Sequence, residues 1–180
     1  MLEIEIEGAE MFDESTNEFV DVKGTTLRLE HSLVSLSKWE ANWKVPFLSK
    51  DRKTVEQTVD YIRCMTVNQN VDPLVYSLIT NEHVKKINDY ISDNKTATTF
   101  NDTHSPAQSR SVITSELIYF WMAQFNIPME CQKWHLSRLL TLIRIASIKN
   151  SPEKKMSKRA IMSQNRSLNA ARRKKFNTKG

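Results

Sequence analysis

The sequence predicts a mainly helical α+β fold, in which a helical domain carries a small N-terminal antiparallel β-element and a basic C-terminal helical arm. Three observations lead there. Residues 2–7 alternate apolar and acidic with a period of two, as Leu2-Glu3-Ile4-Glu5-Ile6-Glu7. From Ser32 the apolar residues recur three to four positions apart, the stripe of amphipathic helices. After Pro152 the charge changes sign. A chain of 180 residues suits one domain of ordinary size plus an extension. The expected divisions are a β-element over residues 1–31, a helical body over 32–150 and an arm over 151–180.

The β-element opens with the alternating strand at residues 2–7. Asp13, Ser15 and Asn17 then mark a turn. Phe19-Val20-Asp21-Val22 and Thr26-Leu27-Arg28-Leu29 resume the alternation on either side of Lys23-Gly24-Thr25, which predicts an antiparallel sheet of two or three strands.

In the body, Leu33, Leu36, Trp39 and Trp43 form the stripe of a first helix that Pro46 closes. Thr54-Val55-Glu56-Gln57 has the form of a capping box, and Val55, Val59, Ile62 and Met65 line one face of the helix it starts. Asp72-Pro73 opens a short helix through Leu78, and Thr80 caps another bearing Val84, Ile87, Tyr90 and Ile91. Residues 93–112 are rich in Asn, Thr, Ser and Asp and read as a mobile loop with room for a short strand at Thr98 to Phe100. Thr114-Ser115-Glu116 begins a dense apolar helix through Phe125. Ile127-Pro128 breaks it, because proline lacks an amide and disfavours helix in the residue before it. A further helix is expected from about Met129 to Ile148, its wide apolar face carrying Cys131, Trp134, Leu136, Leu139, Leu140, Ile143 and Ala146.

Asn150, Ser151 and Pro152 are stop signals. Beyond them the arm reads as helical from Ser157 to about Lys175, too polar to be stable alone and suited to ordering against a partner. Residues 153–180 hold ten Lys or Arg against Glu153 alone, a net +9, and residues 1–152 carry −4.

Little in the chain supports catalysis. The four His and two Cys contain no Cys-x-x-Cys pair. Cys131 and His135 are four apart on the expected helix, and a buried thiol beside a half-buried imidazole is the plainer reading of them. A cysteine nucleophile would need His135 with Glu116 or Glu130 as its partners, roles that spacing does not assign. Gly8, Gly24 and Gly180 are the only glycines, too few to write a phosphate-binding loop. Trp39, Trp43, Tyr61, Trp121 and Trp134 fall on apolar helix faces, which favours packing or an interface over base stacking. The expectation is a non-enzyme without cofactor, metal or small-molecule substrate. Widely separated cysteines, and an N-terminus without a basic, apolar leader, predict a reducing compartment. The apolar runs are too short to span a membrane.

Whole segments carry a resemblance. Leu29-Glu30-His31-Ser32-Leu33-Val34-Ser35-Leu36-Ser37-Lys38-Trp39-Glu40, Tyr61-Ile62-Arg63-Cys64-Met65-Thr66 and Gln132-Lys133-Trp134-His135-Leu136-Ser137-Arg138-Leu139-Leu140-Thr141-Leu142-Ile143-Arg144 resemble small tail-morphogenesis proteins of tailed bacteriophages. Lys155-Met156-Ser157-Lys158-Arg159 and Asn177-Thr178-Lys179-Gly180 extend the likeness through nearly the whole chain. The resemblance implies the tail assembly chaperone class, helical non-enzymes that shield apolar surface on the tape measure protein while the tail tube polymerises. It implies action in the host cell cytoplasm and supplies no site residues.

Candidate partner-binding residues therefore come from composition alone: Trp121 and Trp134 in the body, and Lys154, Lys155, Lys158, Arg159, Arg166, Arg172, Arg173, Lys174 and Lys175 in the arm. The partner is the tape measure protein or another tail protein, with homo-oligomers as a further option. Two alternatives stay open. One is a virion structural subunit of the tail or head-to-tail connector, lacing the arm into its neighbour. The other is a non-specific nucleic-acid binder whose arm displaces counterions from phosphates.

Overall fold

A computed structural model describes residues 1–13, 17–100, 112–150 and 158–177. Helix accounts for 57% of the described residues and strand for 14%, so the fold is mainly α with a small β-element. The chain divides into two units, Met1–Ser147 and Ile148–Gly180.

The first unit opens with β1 (Leu2–Ile6), β2 (Ala9–Asp13), β3 (Glu18–Val22) and β4 (Thr25–Leu29). Leu2 pairs with Leu29 and Ile6 with Thr25, then Ala9 with Val22 and Asp13 with Glu18. The two ladders share one register, so they form a single hairpin interrupted at residues 7–8 and 23–24. Four strands thus replace the two or three expected, and Lys23-Gly24 interrupts one side of the hairpin instead of turning it. Ser15 lies outside the described residues, while Asn17 has the positive φ of 59° that a turn needs.

Glycine makes the interruption sterically feasible. A Cβ on Gly8 would stand 2.7 Å from both the Gly24 amide nitrogen and the Val22 carbonyl oxygen. The break also resets the pleat by one residue, which in an unbroken strand would flip every side chain to the other face. Inward positions are even in β1 (Ile4, Ile6) and odd in β2 (Met11), odd in β4 (Leu27, Leu29) and even in β3 (Val22). Both halves therefore turn apolar side chains to one core. Asn68 closes the free edge of β4, its side chain accepting from the Arg28 amide at 2.7 Å and donating to the Thr26 carbonyl at 3.0 Å.

Six helices follow. Ser32 caps α1 (Leu33–Trp43), Thr54 caps α2 (Val55–Met65) through the expected box with Gln57, and Thr80 caps α3 (Asn81–Ser92). A 3-10 turn fills Pro73–Leu78, where Asp72-Pro73 predicts a short helix. Val55 is corrected: placed on the inner face by its spacing, it is 82% exposed, since it sits in the first turn, ahead of the buried Tyr61, Ile62 and Met65.

Thr114 caps α4 (Ser115–Gln124). The single helix expected from Met129 to Ile148 is instead a 3-10 turn, Met129–Lys133, followed by α5 (Leu136–Asn150). The break has a cause. Trp134 is extended at ψ 160°, His135 pairs as an isolated bridge with Ser32, and the Leu136 amide donates to the His31 carbonyl at 2.8 Å. Cys131 and His135 are therefore on different elements. No strand forms at Thr98 to Phe100. The start of the expected loop is tied to α5, where the Lys95 amide donates to the Ser137 hydroxyl at 3.2 Å, and residues 101–111 lie outside the described part.

Two apolar clusters share α1. Trp39 joins Ile4, Leu27, Tyr61, Ile62 and Ile87 in the first, and Leu33 and Leu36 join Ile118, Met122, Leu139 and Ile143 in the second. Trp39 and Trp43 bind α1 to α2 through indole donors, to the Gln57 carbonyl and the Asp60 carboxylate, each at 2.8 Å. The packing role expected for Trp39, Trp43 and Tyr61 holds.

The second unit contains α6 (Lys158–Phe176), matching the arm helix read from composition. No helix among the described residues is long and apolar enough to cross a membrane.

Candidate functional site

The sequence of α4, Ser-Glu-Leu-Ile-Tyr-Phe-Trp-Met-Ala-Gln, is apolar on nearly every side, yet it buries only Ser115, Ile118 and Met122. A helix apolar all round normally lies inside a protein, so its uncovered side is the unusual feature. Phe120 is 60% exposed, and Trp121 and Phe125 are half-buried. The start of α4 is fixed by Glu40, whose carboxylate is buried and accepts from the Ser115 amide at 2.7 Å and the Phe47 amide at 2.8 Å. Its end is fixed by Asn126, at φ 52°, and by the Ile127 amide donating to the Met122 carbonyl at 2.9 Å.

Across from Trp121, Gln124 and Phe125, α5 presents Leu140, Ile143 and Arg144, and these side chains line a groove of about 500 Å³. Arg144 is exposed, with its guanidinium 4.0 Å from the centre of the Phe100 ring. The groove thus sets the apolar side chains of Trp121, Phe125, Leu140 and Ile143 beside the polar Gln124, Arg144 and Ser147. Among the candidate residues, Trp121 lines this groove. Trp134 does not: it packs against the second apolar cluster, with the Arg138 guanidinium 4.3 Å over its ring.

The arm candidates fall on α6. Arg159, Arg166, Arg172, Arg173, Lys174 and Lys175 are all exposed, the backbone of Lys158 begins the helix, and Lys154 and Lys155 lie outside the described residues. Arg159, Arg166 and Arg173 are seven apart, which stacks them on one side of the helix at intervals of about 10 Å. No Asp or Glu occurs in α6. Met162, Leu168 and Phe176 are also at least half exposed.

A buried set of titratable side chains lies elsewhere, where the hairpin, α1, α2, α3 and α5 meet. His31 and His135 are both buried, with ring centres 5.2 Å apart. Burial, then the neighbouring His135, lowers the His31 pKa to about 4. Burial lowers that of His135 as well. His31 Nδ1 meets the Tyr61 hydroxyl, and His135 uses Nδ1 on Ser137 and Nε2 on the Tyr90 carbonyl at 3.2 Å. These contacts engage the imidazoles in joining elements of the fold. Cys64, half-buried in a separate hollow of about 410 Å³, has its pKa pushed up to about 11 by burial and the Asp60 carboxylate, so it stays a thiol and a poor nucleophile.

Sequence reasoning missed the histidine pair and Glu40. A signal existed for Glu40: it lies four residues after Leu36 and seven after Leu33, on the apolar stripe of α1, where a carboxylate needs buried partners. The histidine pair had none, because residues 31 and 135 are brought together only by the tertiary fold. No protein-family model, no curated protein and no solved structure matches the chain.

Proposed function

We propose that the chain is a non-enzymatic tail assembly chaperone of a tailed bacteriophage, acting in the host cytoplasm to hold an apolar helical segment of the tape measure protein while the tail tube assembles. The observation that carries this reading is the groove between α4 and α5, with Trp121, Phe125, Leu140 and Ile143 along it. An amphipathic helix laid into an apolar groove is a recurring mode of recognition, and aromatic side chains are its usual anchors. Such a groove suits a holding function, since it covers apolar surface on a client without any bond being made or broken. The exposed Phe120 beside it widens the apolar area open to a client. The resemblance of the segments around Trp39, Tyr61 and Trp134 to tail-morphogenesis proteins names the client.

Co-expression tests the reading. With this chain present, the recovery of soluble tape measure protein is expected to rise severalfold, and purified virions are expected to lack the chain. Unchanged recovery, or the chain at fixed stoichiometry in particles, would overturn it.

A further inference from the structure

We infer that the outer face of the hairpin formed by β2 and β3 is a docking site for the basic helix α6 of a second copy of this chain. The contact is independent of the groove between α4 and α5 and holds whether or not a client binds there.

Residues 2–22 hold eight Asp or Glu and no Lys or Arg. In the ladder of β2 and β3, Glu10 stands opposite Asp21 and Phe12 opposite Phe19. Positions two apart along a strand share a face, so the carboxylate pair and the aromatic pair lie side by side, on the face opposite to the one from which Met11 and Val22 reach the core. All four side chains are exposed, Phe19 at 73%, and the two rings meet edge to face with centres 5.2 Å apart. Carboxylates directly opposite each other repel and weaken a hairpin. Among the described residues neither has a cation within ion-pair distance, Lys23 included. Two uncompensated charges beside an open aromatic pair suit a ligand that is both cationic and partly apolar.

The helix α6 has that chemistry at the same spacing. It carries seven Lys or Arg and no Asp or Glu. Met162, Arg166 and Arg173 border one hollow on its surface, and Met162 is 71% exposed. Met162 and Arg166 are one turn apart, about 6 Å along the axis, and the aromatic and carboxylate pairs of the hairpin are two strand residues apart, about 7 Å. Met162 laid on the rings therefore brings the Arg166 guanidinium to the carboxylates. A thioether packs well on aromatic rings, and the planar guanidinium fork can donate to both carboxylates at once. Among the described residues Arg166 and Arg173 have no acidic partner of their own. Nucleic acid would satisfy these cations, but the acidic hairpin would repel it and its rings would stay uncovered. A second α6 would repel the first. The hairpin of another copy matches α6 in charge and in apolar content.

Because the two patches differ, every copy offers both, and the contact is heterologous: it builds open chains or rings instead of a two-fold dimer. Sedimentation of the full chain, treated with nuclease, tests this in low salt at up to about 100 μM. The mass of the parent is expected to rise with concentration and to fall back towards the monomer in high salt. Glu10→Lys with Asp21→Lys, and separately Arg166→Gln with Arg173→Gln, are each expected to weaken association at least about tenfold. All four positions are exposed, and circular dichroism checks that both variants fold. Mixed together, the two variants are expected to form a dimer with one copy of each, since the intact arm of the first meets the intact hairpin of the second and no further junction is left. A parent that stays monomeric overturns the inference, as does association that survives both pairs of substitutions or disappears on nuclease treatment. So does a mixture in which the two variants remain monomers.

Discussion

The Nδ1 nitrogen of His31 lies 2.5 Å from the phenolic oxygen of Tyr61. Burial raises the Tyr61 pKa well above its ordinary value and lowers that of His31 to about 4, so at neutral pH an uncharged phenol and an uncharged imidazole share this hydrogen bond. The histidine therefore binds fewer protons in the folded chain than in the unfolded one below pH 6.5. Its contribution to stability is intact above pH 6.5 and declines as the pH falls towards 4. Between pH 6.5 and 5 the loss is expected to be about 2 kcal/mol. Urea midpoints across that range measure it against His31→Gln, which should be weaker at pH 7 and show a shallower slope. Parallel slopes for the two proteins would defeat the assignment.

Glu40 joins three parts of the first unit: its own helix α1, the amide of Phe47 and the first residue of α4. Both acceptor oxygens are used, and each hydrogen bond from an amide to a buried charge contributes about 1.5–3 kcal/mol. Replacement with alanine leaves two amides unsatisfied. Glu40→Ala is expected to lower unfolding free energy by about 3 kcal/mol or more. Glu40→Gln should cost less than Glu40→Ala, because one amide keeps an acceptor. Equilibrium urea unfolding of the pair gives the order, and a Glu40→Ala protein as stable as the parent would contradict the buried clamp.

At the hairpin interruption the two glycines are unequal. A methyl on Gly8 meets backbone atoms at 2.7 Å, whereas on Gly24 the nearest are the Gly8 nitrogen at 3.0 Å and the Ile6 oxygen at 3.1 Å. Backbone cannot swing aside as a long side chain does. Gly8→Ala is expected to cost about 1–3 kcal/mol, in the range of overpacked cores, and Gly24→Ala less. Thermal unfolding of both variants tests the ranking, and the reverse order would show that the strands do not approach as described.

How far the fold was legible in the sequence follows from the range of the signals. Thr54 and Thr80 announce their helices because a cap is a local arrangement within four residues, and Leu2 to Glu7 announces its strand because pleating has a period of two. The break at Trp134 and His135 is not local: it depends on His31 and Ser32, about a hundred residues earlier in the chain. Likewise, the shared register of the two ladders is visible only once Gly8 and Gly24 are seen to face each other. Of the candidate site, the charge of α6 could be counted directly. The groove could not, because a dense apolar run such as Leu117 to Phe125 says that much surface needs covering and not which side stays open.

That last ambiguity makes Trp121 and Trp134 the most informative pair to compare, since composition treats them alike and the fold does not. Both are half-buried and pack against the second cluster, but Trp121 also lines the groove, whereas Trp134 lies off it and carries Arg138 on its face. An aromatic anchor at the centre of an interface is worth about 2 kcal/mol or more on truncation, roughly a thirtyfold loss of affinity. Trp121→Ala is therefore expected to weaken client binding by that factor, together with some loss of stability from its packing on the second cluster. Trp134→Ala should likewise cost a few kcal/mol of stability through lost packing, while affinity, measured well below the unfolding transition, changes less than about threefold. Calorimetric titration of a tape measure fragment, read beside thermal unfolding, separates affinity from stability. If Trp134→Ala proved the binding-deficient variant and Trp121→Ala bound as the parent does, the groove between α4 and α5 would not be the client surface.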